Sequence, residues 1–172
     1  IFFDNIYMYG PSPLSVPFDE THSQIPATKK GIVRKEVADM LLQAHADGRV
    51  RALIARSADF YGPHAVNSPM YASFLERTLQ GKAPQSLAKK GIKHTYAYSL
   101  DNGRAMVRLA LDDSAYGQVW HLPVGEAVTI DELLGYMNTA LDSSYRVSYM
   151  SSTATSLIAL FVPIVREVKE ML

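Results

Sequence analysis

Two stretches of this chain are apolar runs that stop abruptly in polar, aromatic, glycine-containing turns, and they constrain the fold more than anything else in it. Ala52-Leu-Ile-Ala55 runs into Arg56-Ser-Ala-Asp-Phe-Tyr-Gly-Pro63, and Ile1-Phe-Phe runs into Asp4-Asn-Ile-Tyr-Met-Tyr-Gly10. Runs without polar alternation read as strands buried on both faces, the habit of parallel sheets covered by helices. Between them Val33, Val37, Met40, Leu41 and Ala44 recur at three- and four-residue spacing until Gly48, which predicts a helix. Strand, loop, helix and strand make one parallel β-α-β crossover with both turns on the same edge. Ligands in such sheets sit beyond the carboxyl ends of the strands, so chemistry is expected at these two turns.

One helix cannot cover both faces of two strands, and two strands rarely make a stable sheet. More strands must join them, and the chain is expected to be part of a longer protein. Residues 11 to 30, with four prolines, read as a loop. Ser68-Pro69 is a capped helix start followed by an apolar stripe of Met70, Phe74, Leu75 and Leu79. Lys93 to Ser99 alternates as a strand, and Asp101 suits the cap of a helix carrying Met106, Val107, Ala110 and Leu111. A strand at Gln118 to Leu122 precedes Thr129-Ile-Asp-Glu132, which has capping-box spacing, and a helix buried along Ile130, Leu133, Leu134, Met137 and Leu141. Tyr145, Val147 and Tyr149 alternate as a short strand, and the apolar run 157–165 reads as a packing helix. A lobe boundary is expected near residue 63.

Composition narrows the function classes. The chain has 172 residues, 48% of them hydrophobic, and its 17 basic side chains balance 17 acidic ones. The basic residues are scattered, so no footprint for nucleic acid is expected. The apolar run 157–165 contains Pro163 and falls short of the roughly 20 residues that a membrane span needs. With no cysteine there is neither a disulfide nor a thiolate metal site, and a cytoplasmic setting is the default. No histidine pair has metal-ligand spacing on one helix, so no metal is expected.

At its turns the chain resembles the extended and atypical short-chain dehydrogenase/reductase superfamily, the NAD-dependent epimerase/dehydratase group. Arg56-Ser-Ala-Asp-Phe-Tyr-Gly-Pro63 is similar to that family's Arg-Pro-x-Asn-x-Tyr-Gly-Pro turn, and Asp4-Asn-Ile-Tyr-Met-Tyr-Gly10 to its Ser-Ser-x-x-x-Tyr-Gly turn. Tyr96-Ala-Tyr-Ser-Leu-Asp101 resembles its Phe-x-Tyr-Val-x-Asp segment, and the strand and helix from Gln118 to Leu133 follow in the same order. The resemblance implies an α/β fold, part of a doubly wound parallel (Rossmann-like) sheet, with a smaller α+β substrate lobe. Residues 1–63 would be the second half of a nucleotide-binding domain and 64–172 mainly the substrate lobe, with room for one strand and helix to return to the sheet. It also implies NAD or NADP, although the family's Gly-x-x-Gly-x-x-Gly fingerprint is not in this sequence.

Residue by residue, the resemblance puts Asn5 at the position of a serine that polarises the substrate oxygen. An asparagine amide still donates there, and the same residue suits an Asx turn. The family's Tyr-x-x-x-Lys base is missing: with Lys30 as the lysine the tyrosine becomes Pro26, and with Lys29 it becomes Ile25. A third alignment takes Arg34 as the ribose-binding cation and Lys30 as the base, crowded by Arg34 one helical turn on. Tyr7 and Tyr9 are phenols that can substitute or serve as core. Arg56, Ser57 and Ala58 fall at the cofactor, and Asp59, where the family has asparagine, falls at the substrate; an anion there disfavours sugar-nucleotide phosphates. His94, Tyr98 and His121 complete the expected substrate-facing set.

The reading is therefore a piece of an NAD(P)-dependent oxidoreductase or epimerase/dehydratase-like enzyme acting on a small carbonyl or hydroxyl compound, sugar-derived compounds included. A homodimer is compatible with it. The alternative is a catalytically degenerate NAD(P)-binding sensor or scaffold.

Overall fold

In the computed structural model of the chain the described residues are 1–10, 16–68, 70–86 and 89–149, so the run 157–165 lies outside them. They divide into two compact units, one formed by Ile1–Ala58 with Ala97–Val124, the other by Asp59–Tyr96 with the segment from Gly125 onward.

The first unit is built on a parallel sheet of β1 (Phe2–Asp4), β2 (Ile54–Arg56) and β6 (Val119–His121), in the order β1-β2-β6. Helix α1 (Lys29–Ala46) lies between β1 and β2 in sequence, and α3 (Ser99–Ala110) precedes β6. Part of the sheet and cover that two strands lack thus comes from within this chain. Leu53 and Ala55 pack with Ala115 and Leu122 against Ala105, Met106, Leu109 and Trp120. Ile54, which alternation turns to the other face of β2, is also fully buried. The central strand therefore has the two-sided burial that its apolar run predicts.

Edge strand β1 does not: Phe3 is 43% exposed, because β1 pairs only with β2 among the described residues. In α1 the expected stripe is also corrected. Val33 and Met40 are exposed, and the helix instead buries its small residues Gly31 and Ala38, seven apart on one face. Gly31 is needed for close approach, since a Cβ there would stand 2.6 Å from the Tyr7 carbonyl oxygen. Helix α3 begins at Ser99, so Asp101 lies inside the first turn and pairs with Arg104 rather than capping.

The second unit contains the short strands β3 (Phe60–Tyr61), β4 (Gln85–Ser86) and β7 (Ser148–Tyr149) and the helices α2 (Glu76–Leu79) and α4 (Ile130–Ala140); the short β5 (Ala97–Tyr98) belongs to the first unit. β4 and β7 pair in parallel. Ser68 accepts a hydrogen bond from the Tyr71 amide, but a π-helical turn at Tyr71–Leu75 rotates the helix that follows. Phe74 and Thr78 are buried, while Leu75 and Leu79 are exposed. Only Ala97 and Tyr98 of the expected strand at 93–99 form a regular strand, and His94 bridges to Val128. Thr129 and Glu132 form the capping box, with Glu132 N to Thr129 Oγ1 at 3.2 Å and Thr129 N to Glu132 Oε2 at 2.7 Å. Ile130, Leu134 and Phe74 then form a core joined by Tyr145, Val147 and Tyr149, while Leu141 lies past the helix and is exposed.

Two glycines give opposite expectations. Alanine is the better helix former by about 1 kcal/mol, yet at Gly31 its methyl meets backbone, so Gly31→Ala is expected to destabilise by about 1–3 kcal/mol. At Gly103, inside α3 with nothing within 4 Å, Gly103→Ala is expected to stabilise. Denaturant titration of the two variants checks both signs.

Candidate functional site

Parallel pairing sets Asp4 opposite Arg56 and Arg56 opposite His121. Three polar side chains therefore stand in a row at the carboxyl ends of three neighbouring strands, the edge at which parallel sheets bind ligands. Arg56 is 1% exposed, and the Asp4 side chain is fully buried. A guanidinium keeps its charge in any protein setting, so its partners must answer it. Asp4 Oδ2 lies 3.5 Å from Nε, the Tyr9 hydroxyl accepts from one terminal nitrogen at 2.8 Å, and Gln24 Oε1 accepts from the other at 3.3 Å. Arg34, on the first turns of α1, brings a second guanidinium to 3.8 Å from Asp4 Oδ1, an oxygen that accepts no hydrogen bond.

Within this row Tyr9 links Arg56 to His121: its hydroxyl lies 2.7 Å from His121 Nε2. The loop at residues 16–27 closes over the pair. Thr21 donates to Asp19 from both its amide and its hydroxyl, holding a tight turn. Phe18 then packs on Tyr9 and His121 at ring separations of 5.0 and 5.8 Å, with His22 beside Tyr9 and Phe18. Glu20 accepts from the His121 amide at 2.6 Å. Burial holds the His121 imidazole below the usual histidine value, against the pull of the Glu20 carboxylate and with help from Arg56. Burial likewise raises the Tyr9 phenol, while the Arg56 hydrogen bond and charge act the other way.

Of the residues predicted from sequence, Tyr9, Arg34, Arg56 and His121 are brought together here, with Asn5 and Tyr7 in the turn after β1. Asn5 Oδ1 accepts from the Tyr7 amide at 3.0 Å, an Asx turn. Lys30 sits on the first turn of α1, half-buried. Ser57 continues the β2 ladder by donating its amide to Asp4 O, and its hydroxyl donates to Ala58 O while accepting from the buried Asn102 at 2.9 Å. Tyr98 stands immediately before α3. Asp59 and His94 belong to the second unit, where they pair with each other, Nε2 to Oδ2 at 3.2 Å. Next to them Tyr96 is pushed up to about 12, by burial first and then by the Asp59 charge. The sequence reading passes over Asp4, Gln24, Glu20 and Asn102. Asp4 carries a legible signal, a carboxylate ending an apolar strand run; the others depend on where loops and helices land.

Neither a family model nor a curated protein sequence matches the chain. Solved structures do match. The UDP-N-acetylglucosamine 4-epimerase from Methanobrevibacter ruminantium, in complex with UDP-N-acetylmuramic acid, has a TM-score of 0.75 at 21% identity over 87% of this chain and 49% of its own. The UDP-glucuronic acid 4-epimerase from Bacillus cereus, in complex with NAD, has a TM-score of 0.76 at 17% identity over 90% of this chain and 53% of its own. RMD from Pseudomonas aeruginosa, complexed with NADPH, has a TM-score of 0.72 at 19% identity over 86% and 52%. The chain spans about half the length of the structures it matches. Its fold is the α/β, Rossmann-like fold of these structures.

The buried charge pair has a measurable consequence. Arg56→Met strands Asp4 and is expected to cost about 3–5 kcal/mol, whereas Asp4→Leu with Arg56→Met recovers most of it; denaturant melts of the two variants test this. His121 adds a pH dependence. Its folded value lies below its unfolded value, near 6.5, so the unfolded chain binds the proton more readily. Its contribution to stability is present above about 6.5 and is lost as pH falls from there through the folded value. His121→Phe is expected to flatten the melting temperature between about pH 5 and 7.

Proposed function

We propose that this chain is part of an NAD(P)-linked oxidoreductase or epimerase/dehydratase-like enzyme acting on a hydroxyl or carbonyl carbon. The observation that carries the reading is the row Asp4, Arg56 and His121, in register at the carboxyl ends of three parallel strands of a Rossmann-like fold. A nicotinamide cofactor supplies or accepts the hydride when bound. The residues present suit its ribose end: α1, capped by Thr28, carries Lys29, Lys30 and Arg34 in its first turns, with Arg34 tied to the end of β1 through Asp4. These are donors that ribose and phosphate oxygens accept. The glycine-rich turn that cradles a pyrophosphate is not in this sequence.

For the substrate, two of the matching solved structures hold UDP-linked sugars, UDP-N-acetylmuramic acid and UDP-glucose. Electrostatic repulsion by Asp59 counts against such phosphates from sequence alone, but its pairing with His94 weakens that objection. Sugar nucleotides therefore stand beside small carbonyl compounds as substrate classes. The missing Tyr-x-x-x-Lys supports the second reading, a protein that binds NAD(P) without turnover.

The test uses the full-length protein. NAD or NADP at about 100 times its dissociation constant is expected to stabilise by about 2.7 kcal/mol, and Arg34→Ala is expected to weaken binding. Nicotinamide absorbance is then followed with alcohols, aldehydes and nucleoside-diphosphate sugars. Cofactor binding with no turnover across the panel selects the sensor reading, and no thermal shift with either cofactor removes both.

A further inference from the structure

The hydrogen bonds around Tyr9 have a direction. Arg56 can only donate, so the Tyr9 oxygen accepts from it. Tyr9 is 1% exposed, and an unpaired hydroxyl hydrogen at such a depth carries a full desolvation penalty. Among the described residues the one acceptor bonded to that oxygen is His121 Nε2 at 2.7 Å, so the phenol donates to it. Neutral His121 then carries its ring proton on Nδ1, which has no partner among the described residues, and the half-exposed ring stands at the ligand-binding edge of the sheet. The charged and titratable groups around it are Glu20 and Asp19 on the loop, Arg56 on β2 and Tyr9 after β1, and burial with Arg56 favours the neutral ring over the two carboxylates.

We propose that His121 is the proton-transferring residue of this site, with Nδ1–H given to a substrate oxygen, and that Tyr9 and Arg56 are the positioning residues that fix its tautomer and return the proton. This rests on the oxidoreductase reading. As a carbonyl becomes an alcohol, the carbonyl carbon receives a hydride from the nicotinamide, which is oxidised, and the carbonyl oxygen takes the proton from Nδ1. Nε2 takes the phenol proton of Tyr9, leaving a phenolate beside the Arg56 guanidinium; once the product has left, Nδ1 of the half-exposed ring takes a proton from solvent and Nε2 returns its own to Tyr9. In the oxidation direction the same transfers reverse. The relay does the work for which the absent Tyr-x-x-x-Lys pair leaves no group.

Two measurements on the full-length protein test it. The first needs no activity: the side-chain 15N spectrum of histidine-labelled protein at pH 7.5, with His121 assigned by comparison with His121→Asn. A protonated Nδ1 and unprotonated Nε2 are expected, and Tyr9→Phe is expected to release the Nε2–H form. The second is turnover of whichever panel compound the wild type accepts. His121→Asn is expected to lower kcat by at least about 100-fold, with cofactor affinity within about threefold of wild type. Tyr9→Phe is expected to shift the pH profile of kcat. An Nε2–H or doubly protonated His121 overturns the relay even in an active enzyme, as does His121→Asn turning over within about threefold of wild type. The expected tautomer in a protein that binds cofactor but turns over nothing overturns both the enzyme reading and the proton-transfer step.

Discussion

The first unit depends on a guanidinium with no access to water. Arg56 ends the central strand, and its charge has to be met by whatever the fold brings to the ends of the strands on either side. Asp4 does this through strand register, Tyr9 through the turn after β1, and Gln24 through the long loop. Asp4, Tyr9 and Gln24, all distant from Arg56 in sequence, are thereby tied to one side chain. A buried ion pair contributes little net stability over an apolar substitute, but losing one partner is costly. Its value here lies in orientation: it holds the phenol of Tyr9, and the phenol holds His121.

Hydrogen-bond direction then links structure to chemistry. Arginine cannot accept and a deeply buried tyrosine cannot leave its proton unpaired, so order passes from Arg56 through Tyr9 to the imidazole. The aromatic loop residues Phe18 and His22 exclude water from the phenol, while Glu20 anchors the His121 backbone. The second unit has a separate polar pair, Asp59 with His94, next to the half-buried phenol of Tyr96. It has its own small core and a helix whose entry is set by the Thr129–Glu132 capping box.

Much of the architecture is legible in the chain because its signals are local. The apolar run at 52–55 reads as a two-sided strand, and every residue from Ala52 to Ser57 is buried. The Thr129-x-x-Glu132 spacing predicts a cap, and both of its hydrogen bonds form. Where periodicity misleads, a nonlocal cause is visible. Helix α1 packs by its small residues because the backbone after β1 approaches Gly31, which leaves Val33 and Met40 outward. The π-helical turn at Tyr71–Leu75 rotates Leu75 and Leu79 out of the stripe that their spacing implies.

The sequence by itself determined the element types, the parallel β-α-β order and the two turns at which polar chemistry collects, because apolar runs, glycines and capping residues act within a few positions. Only the tertiary structure decided which side chains meet. Asp4, Arg56 and His121 are separated by 52 and 65 positions and become neighbours through parallel register, in which each strand's place depends on its partner's hydrogen bonds rather than on its own residues. Tyr9 reads from sequence as one of two nearby phenols; burial and a hydrogen bond on each side give it a direction that no local pattern encodes.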